Sequence, residues 1–383
     1  IGLTQPIWKW CMKAVYIVKQ AVATGLGSSI EENWDRLIKG ESAIAAAAPR
    51  HTDRSGGRRA ALIPDLVPFD GENRVCAAAR RALDRISPVS PESCIVWTGL
   101  KGNAEYIEGG REKAMPFLPE HYRWWVARLL GNRGQGLDIS AACASSTVGL
   151  AIGAQKIARG EYGSVLVCAA DVVTGFAAAG FAALKALTAS ACRPFDSARD
   201  GMSIGDGAVA ILLADAKTAD DCELDRLARI SGWGMSNDAN HITGPARDGS
   251  GLAAAIATAM GMAGTAPDDV QAFCAHGTGT VFNDGMELAA IETVYGKRLF
   301  PIFSIKGAIG HTLGAAGGID AAISVHALAK KRVPPTVGLK TPETKAAGRV
   351  SNRAQAFGGR TILTTNSGFG GINAALVLQS VDS

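Results

Sequence analysis

Three short stretches, far apart in the chain, each place a reactive side chain after an apolar run and beside a turn of small residues. They are 139–146 around Cys143, 275–280 around His276, and 304–317 with Lys306 and His311. A short apolar run bounded in this way reads as a buried strand, and a strand that turns directly into a helix is the building unit of a layered α/β fold. In open α/β sheets ligands sit outside the carboxyl ends of the strands. Three such ends are therefore expected to meet at one site.

At the first stretch the apolar run 137–142 precedes Cys143, and Leu150, Ala154, Ile157 and Ala158 follow at helical spacing until Gly160. The N–H groups and positive end of such a helix favour a thiolate, and Ala144, Ser145 and Ser146 leave the turn tight and open. A buried structural cysteine fits the same pattern, so this segment alone leaves both readings open. At the second stretch 270–275 reads as a strand and 284–294 as a helix bearing Met286, Leu288, Ile291 and Val294. The third reads as strand 303–305 followed by helix 312–330. His51, His121, His241 and His326 read as ordinary core or loop residues, with His241 close to an expected substrate loop. A thiol with two imidazoles and a lysine suits acyl transfer. The thiol holds an acyl group as a thioester, and two neutral imidazoles donate hydrogen bonds to a developing enolate. That is the equipment of a Claisen condensation driven by decarboxylation, with no metal or other cofactor.

These residues carry a family resemblance. The chain resembles the β-ketoacyl-acyl-carrier-protein synthases, KAS I/II-like condensing enzymes of the thiolase superfamily, from about Tyr16 to Leu378. Besides the three stretches, 192–208 (CRPFDSARDGMSIGDGA) resembles the family's CRPFD…RDG…GEGA block. Segment 234–243 resembles its DAxHxT loop, and 366–373 its C-terminal glycine-rich turn. The resemblance implies an α/β, thiolase-like duplicated α-β-α-β-α layered fold. It makes Cys143 the acylated nucleophile, His276 and His311 the pair that supports decarboxylation, and Lys306 a charge-tuning lysine. Asp284 and Glu287 match acidic residues behind the site. The backbone N–H groups of Cys143 and Phe369 match the oxyanion hole, with Phe369 also the gating aromatic. Thr243, Thr278 and Thr280 match residues that hydrogen-bond phosphopantetheine, although threonine at such places also caps turns. The implied substrates are malonyl and acyl thioesters carried on the phosphopantetheine of an acyl carrier protein. Arg199 matches a position that faces that partner in related synthases, and Arg58 and Arg59 offer a second candidate basic cluster; the other readings are a solvated surface charge or, for Arg199, a structural ion pair with Asp196 or Asp200.

Departures from the family pattern sharpen these expectations. The turn reads Asn366-Ser367-Gly368-Phe369-Gly370-Gly371, one aromatic residue short of the usual NSFGFGG. Segment 50–70 is compact, so docking loops are expected to be trimmed. Trp124 and Trp125, on an expected helix 120–130, and Tyr106 fall where bulky groups would restrict an acyl tunnel or else pack in a core or dimer interface.

At 383 residues and 47% hydrophobic content the chain is long enough for two packed halves. The expected division is an extension 1–11, an N-terminal half 12–215 carrying the cysteine and a C-terminal half 216–383 carrying both histidines, with no repeat evident in the sequence. No apolar stretch approaches the ~20 residues of a membrane span, and a net charge of +4 is too small and dispersed for nucleic acid. Eight cysteines without CxxC or disulfide-like spacing fit a reducing cytoplasm. A thiolase would need a second catalytic cysteine after Cys274, and acetyl-CoA-priming or chalcone-synthase-like enzymes would carry asparagine in place of His311. A non-catalytic chain-length factor would lack Cys143. The specialised polyketide or aryl-polyene role is slightly preferred over primary fatty-acid elongation, and either a homodimer or a heterodimer with a related subunit is expected.

Overall fold

The computed structural model describes residues 12–47, 59–69, 72–105, 120–133 and 136–381. Residues 1–11, His51, Arg58 and Tyr106 lie outside them.

Among the described residues, ten strands form one mixed sheet. In chain order they are β1 (Val15–Thr24), β2 (Cys94–Thr98), β3 (Gly136–Ile139), β4 (Ser164–Asp171), β5 (Gly207–Asp215), β6 (Ala228–Asn237), β7 (Ala272–Cys274), β8 (Ile302–Phe303), β9 (Thr361–Gly368) and β10 (Ile372–Gln379). Their lateral order is β8-β7-β9-β10-β6-β1-β5-β4-β2-β3. Each half of this sheet repeats the other. β5 is antiparallel to β1 and β4, with β2 and β3 parallel to β4; β10 is antiparallel to β6 and β9, with β7 and β8 parallel to β9. A short antiparallel contact, Val15 to Ile17 against Ala228 to Ile230, joins the halves. The duplication lies in backbone topology, which is why no residue-level repeat shows it.

Successive side chains of a strand face opposite ways, so each strand feeds two cores. In β4, Val165, Val167 and Ala169 face a middle layer, and Leu166, Cys168 and Ala170 face an outer one. A register shift in β1 between Ile17 and Lys19 changes the parity. Val15 and Ile17, but then Val22, face the middle, while Val18, Ala21 and Ala23 face outward. The outer layer beside β1–β5 is formed by α2 (Arg74–Ile86) and α3 (Glu120–Leu129). On the other side it is formed by α6 (Ser250–Ala263) and α7 (Val281–Tyr295). The middle holds α1 (Ile30–Ile38), α4 (Ser145–Ala158) and α9 (Ala316–Lys330). The result is the layered α-β-α-β-α arrangement of the thiolase fold.

α4 and α9 are apolar on nearly every face because they pack against sheet and helix on all sides. Glycine lets them touch. A Cβ at Gly317 would lie 1.9 Å from Thr147 Oγ1. This close packing brings the start of α4, with Cys143, beside the turn that opens α9.

The regular elements are trimmed where the site begins. The strand expected over 137–142 stops at Ile139, and the helix expected from 312 starts at Ala316, after a 3₁₀ turn over Leu313–Ala315. Backbone at these points is turned toward the cavity: Ala142 and Leu313 adopt left-handed φ values of 49° and 55°.

Candidate active site

Cys143 follows the kinked Ala142 and precedes α4, with Ala144 at the helix N-cap. His276 follows β7, and His311 lies between the short helix α8 (Lys306–Ile309) and the 3₁₀ turn. Sγ of Cys143 and a ring nitrogen of each histidine lie within 4.8 Å of one another, all three residues being buried. The imidazole rings meet edge to face with centroids 5.1 Å apart.

Hydrogen bonding sets the tautomer of both rings. Asn366 Nδ2 donates to His276 Nδ1 at 3.0 Å, and the backbone N–H of Leu313 donates to His311 Nδ1 at 3.3 Å. Each Nδ1 is therefore an acceptor, and the hydrogen resides on Nε2. Among the described residues, Nε2 of His311 is buried without a hydrogen-bond partner. Burial, and then the Lys306 charge, hold His276 well below the usual imidazole pKa; the same causes lower His311 to about 3. Both rings are neutral donors. A Cys-His-His set resembles a metal ligand set by residue type, but a metal needs ring lone pairs, and these rings offer N–H.

The Cys143 thiol is pushed up to about 12 by burial, while Lys306 and the backbone N–H groups of Cys143 and Phe369 act in the opposite direction. The sequence reading favoured a thiolate from the helix end alone. Burial away from water outweighs that end, so the resting group is a thiol. The same two N–H groups are those expected to form an oxyanion hole.

Lys306 is 1% exposed and pairs with Asp320 Oδ2 at 3.0 Å. Burial opposes its charge, but the Asp320 carboxylate holds the ammonium pKa above its usual value. Asp320 also accepts from Asn366 Nδ2 at 2.9 Å, so lysine, aspartate, asparagine and His276 form one chain of contacts. Thr147 donates to Asn366 Oδ1 at 2.6 Å and fixes the amide's orientation. Sequence reasoning passed over Asp320. Its signal was a lone acid in the otherwise largely apolar stretch 316–328.

Asp284 and Glu287, at the start of α7, brace the loop rather than reach the cavity. Glu287 accepts from the N–H groups of His276 at 2.7 Å and Gly277 at 2.6 Å, and Asp284 from those of Thr278 at 3.0 Å and Phe195 at 2.8 Å. Burial raises Asp284, and burial together with the Asp284 charge pushes Glu287 up to about 8.

A cavity of about 990 Å³ opens over Cys143, His276 and His311. Thr243, Thr278, Thr280 and His241 line it, as do Phe181 of α5 (Gly175–Ala183), Met202, Lys185 and Arg247. Phe369 packs against Phe181 with ring centroids 5.9 Å apart. The shortened glycine-rich turn is tied to the 237–243 loop, since Gly370 N donates to Ile242 O at 2.7 Å and Asn237 Nδ2 to Gly370 O at 2.9 Å. Thr278 also serves its own turn: its Oγ1 lies 2.9 Å from Thr280 Oγ1.

The readings left open for Arg199 and the two tryptophans are decided by their surroundings. Arg199 is not a docking cation: its side chain is 6% exposed and pairs with Glu343 at 2.5 Å and Asp284 at 3.7 Å. It clamps the 196–200 segment to α7, and its ionic partners are neither Asp196 nor Asp200. Trp125 and Trp124 do not line the cavity. Trp125 is buried in the outer layer, its Nε1 donating to Glu72 at 3.0 Å, and Trp124 is 60% exposed beneath Arg123. Arg59 is exposed and donates to Ile44 O at 3.2 Å. His326 packs against Trp34 with the rings tilted by 54° and their centroids 4.9 Å apart. Among the described residues no helix is long and apolar enough to cross a membrane.

A family model described as "Beta-ketoacyl synthase, N-terminal domain" matches residues 111–219, and one described as "Beta-ketoacyl synthase, C-terminal domain" matches 227–340. The 3-oxoacyl-(acyl-carrier-protein) synthase 2 of Vibrio cholerae serotype O1 is 30% identical, the alignment covering 96% of this chain and 99% of that protein. A solved structure of the ishigamide ketosynthase/chain length factor superposes with a TM-score of 0.87 at 28% identity, covering 97% of this chain and 100% of that one. A type II polyketide synthase acyl-carrier protein in complex with its ketosynthase bound to the hexaketide matches with a TM-score of 0.83 at 25% identity, covering 97% and 100%. The likeness extends over nearly the whole of a chain whose thiolase fold sets a cysteine at a strand-to-helix elbow opposite two neutral imidazoles, and the chain belongs to the β-ketoacyl synthase family.

Proposed function

We propose that the protein is a β-ketoacyl-acyl-carrier-protein synthase, joining an acyl group held on Cys143 to a malonyl thioester with loss of carbon dioxide. The observation that carries this is the pairing of a buried thiol with two neutral rings whose Nδ1 atoms are both engaged as acceptors.

Cys143 Sγ attacks the acyl thioester carbonyl, and the thiol proton leaves with the pantetheine sulfur. The tetrahedral oxyanion is held by the N–H groups of Cys143 and Phe369. The malonyl thioester then occupies the cavity; its carboxylate departs as carbon dioxide, and the electron pair moves onto the thioester oxygen as an enolate. The Nε2–H groups of His276 and His311 stabilise that oxygen, and a neutral donor needs no proton transfer to do so. The enolate carbon attacks the acyl carbonyl, a C–C bond forms, the C–S bond to Cys143 breaks, and the departing sulfur takes up a proton from water to restore the thiol. Lys306 acts through its charge, keeping both rings neutral.

An extended thioester arm fits the cavity. Thr243, Thr278 and Thr280 supply hydroxyls along its wall, supporting the reading that they hold phosphopantetheine. The substrates arrive on an acyl carrier protein, the kind of partner seen with the related polyketide ketosynthase. Arg59, with Arg58, remains the proposed docking cluster. No separate cofactor takes part. Intact-mass spectrometry after incubation with acyl-carrier thioesters, combined with release of carbon dioxide from a malonyl thioester, tests the proposal. Loading at Cys143 without carbon dioxide release would support a partner subunit instead.

A further inference from the structure

We propose that Asp171, at the end of β4 in the N-terminal half, is a positioning residue for the His311 donor in the other half. The inference rests on the reading of His311 as the group that hydrogen-bonds the enolate.

His311 is held in place from both sides. Its backbone N–H donates to Ser203 O at 2.7 Å, and its carbonyl accepts from Gly205 N at 3.0 Å. The ring is oriented by the Leu313 N–H on Nδ1. Leu313 delivers that N–H only by adopting φ 55°, a left-handed conformation that a leucine does not hold without support from its surroundings. Part of that support is apolar burial, Leu313 being fully enclosed beside Phe181 and Met202. The rest is Asp171. Its Oδ2 accepts from the N–H of Gly314 at 3.0 Å and from that of Leu100 at 3.2 Å, pinning the residue after Leu313 to the N-terminal half. A Cβ at Gly314 would lie 2.9 Å from this same oxygen and 2.9 Å from Gly99 Cα, so only glycine allows the approach.

The other oxygen of Asp171 pairs with Lys101, and both side chains are almost wholly buried. The pair lets a carboxylate sit in the interior, and the carboxylate aims the ring through two peptide units. Its charge is also felt at Cys143, where it opposes thiolate formation. A test must therefore change the acceptor without changing the net charge.

Two double variants do this. Lys101→Met/Asp171→Asn removes both charges but keeps one acceptor oxygen for the Gly314 and Leu100 N–H groups; Lys101→Met/Asp171→Leu removes both charges and the acceptor. With His311→Ala alongside, each is assayed for carbon dioxide release from malonyl thioester, for acyl loading by intact mass, and for melting temperature. The asparagine variant is expected to keep most of the decarboxylation. The leucine variant is expected to lose about tenfold or more, the scale of a misplaced catalytic group, while loading persists in both and their melting temperatures agree. Equal decarboxylation in the two variants, with His311→Ala inactive, overturns the role of Asp171 alone. If His311→Ala itself decarboxylates normally, the reading of His311 fails and the inference with it. Should the leucine variant not fold, the acceptor-keeping variant still decides: a tenfold loss there, with normal loading and melting, overturns the proposal.

Discussion

Lys306 and Asp320 form an ion pair of 3.0 Å with their side chains 2% and 1% exposed. Breaking such a pair strands a charge in the interior, which costs roughly 3 to 5 kcal/mol, whereas removing both charges costs far less. Lys306→Met is therefore expected to lower stability in denaturant by about that amount, and Lys306→Met/Asp320→Leu to recover most of it without recovering activity. Additive losses in a double-mutant cycle would show that the two charges do not support each other.

Acyl loading is expected to depend on Cys143 alone. Cys168 and Cys274 are fully buried strand residues whose thiols are also raised by burial. Cys143→Ala should abolish loading, and Cys168→Ala or Cys274→Ala should leave the acyl mass in place. Peptide mapping that finds the acyl group on another cysteine refutes the assignment.

The two histidines should separate the half-reactions. Replacing either by alanine removes one donor to the enolate and is expected to reduce decarboxylation by ~10²-fold or more, while loading falls much less. An equal loss in both half-reactions would argue against that division.

A thiol pushed up to about 12 reacts through a small thiolate fraction, so alkylation of Cys143 by iodoacetamide should rise about tenfold per pH unit through pH 9 without levelling off. A plateau below pH 8 would show that the helix end overcomes burial after all.

Proton linkage gives opposite signs for Glu287 and His311. Glu287 sits at about 8 in the folded chain against an ordinary 4.5, so the fold binds the extra proton between these values, and its contribution is lost as pH rises through that window. Stability relative to Glu287→Gln should then fall by up to ~1.4 kcal/mol per unit from pH 4.5 to 8. His311, lowered to about 3, contributes stability that is complete above pH 6.5 and lost as pH falls. Denaturant titrations at fixed pH read both slopes; a Glu287 contribution that stays flat from about pH 5 to 8 would mean the carboxylate is ionised in the fold.

The three strand-end motifs were legible in the sequence because they are local: an apolar run, a small-residue turn and a helix are encoded within about fifteen neighbouring residues, and they carried Cys143, His276, His311 and Lys306. The layered fold was legible through the same periodicity together with the family blocks. What tertiary structure decided is which side chains pair in the assembled interior, at separations from 14 positions to more than a hundred. The tautomer of His276 rests on Asn366, the charge of Lys306 on Asp320, the enclosure of Arg199 on Glu343, and the placement of the Leu313–Gly314 turn on Asp171. A helix end is local and pointed to a thiolate; burial is global and makes Cys143 a thiol. Sequence spacing states which groups lie on a strand end, but desolvation and hydrogen-bond pairing belong to the assembled interior, and these determine the protonation state in which each group works.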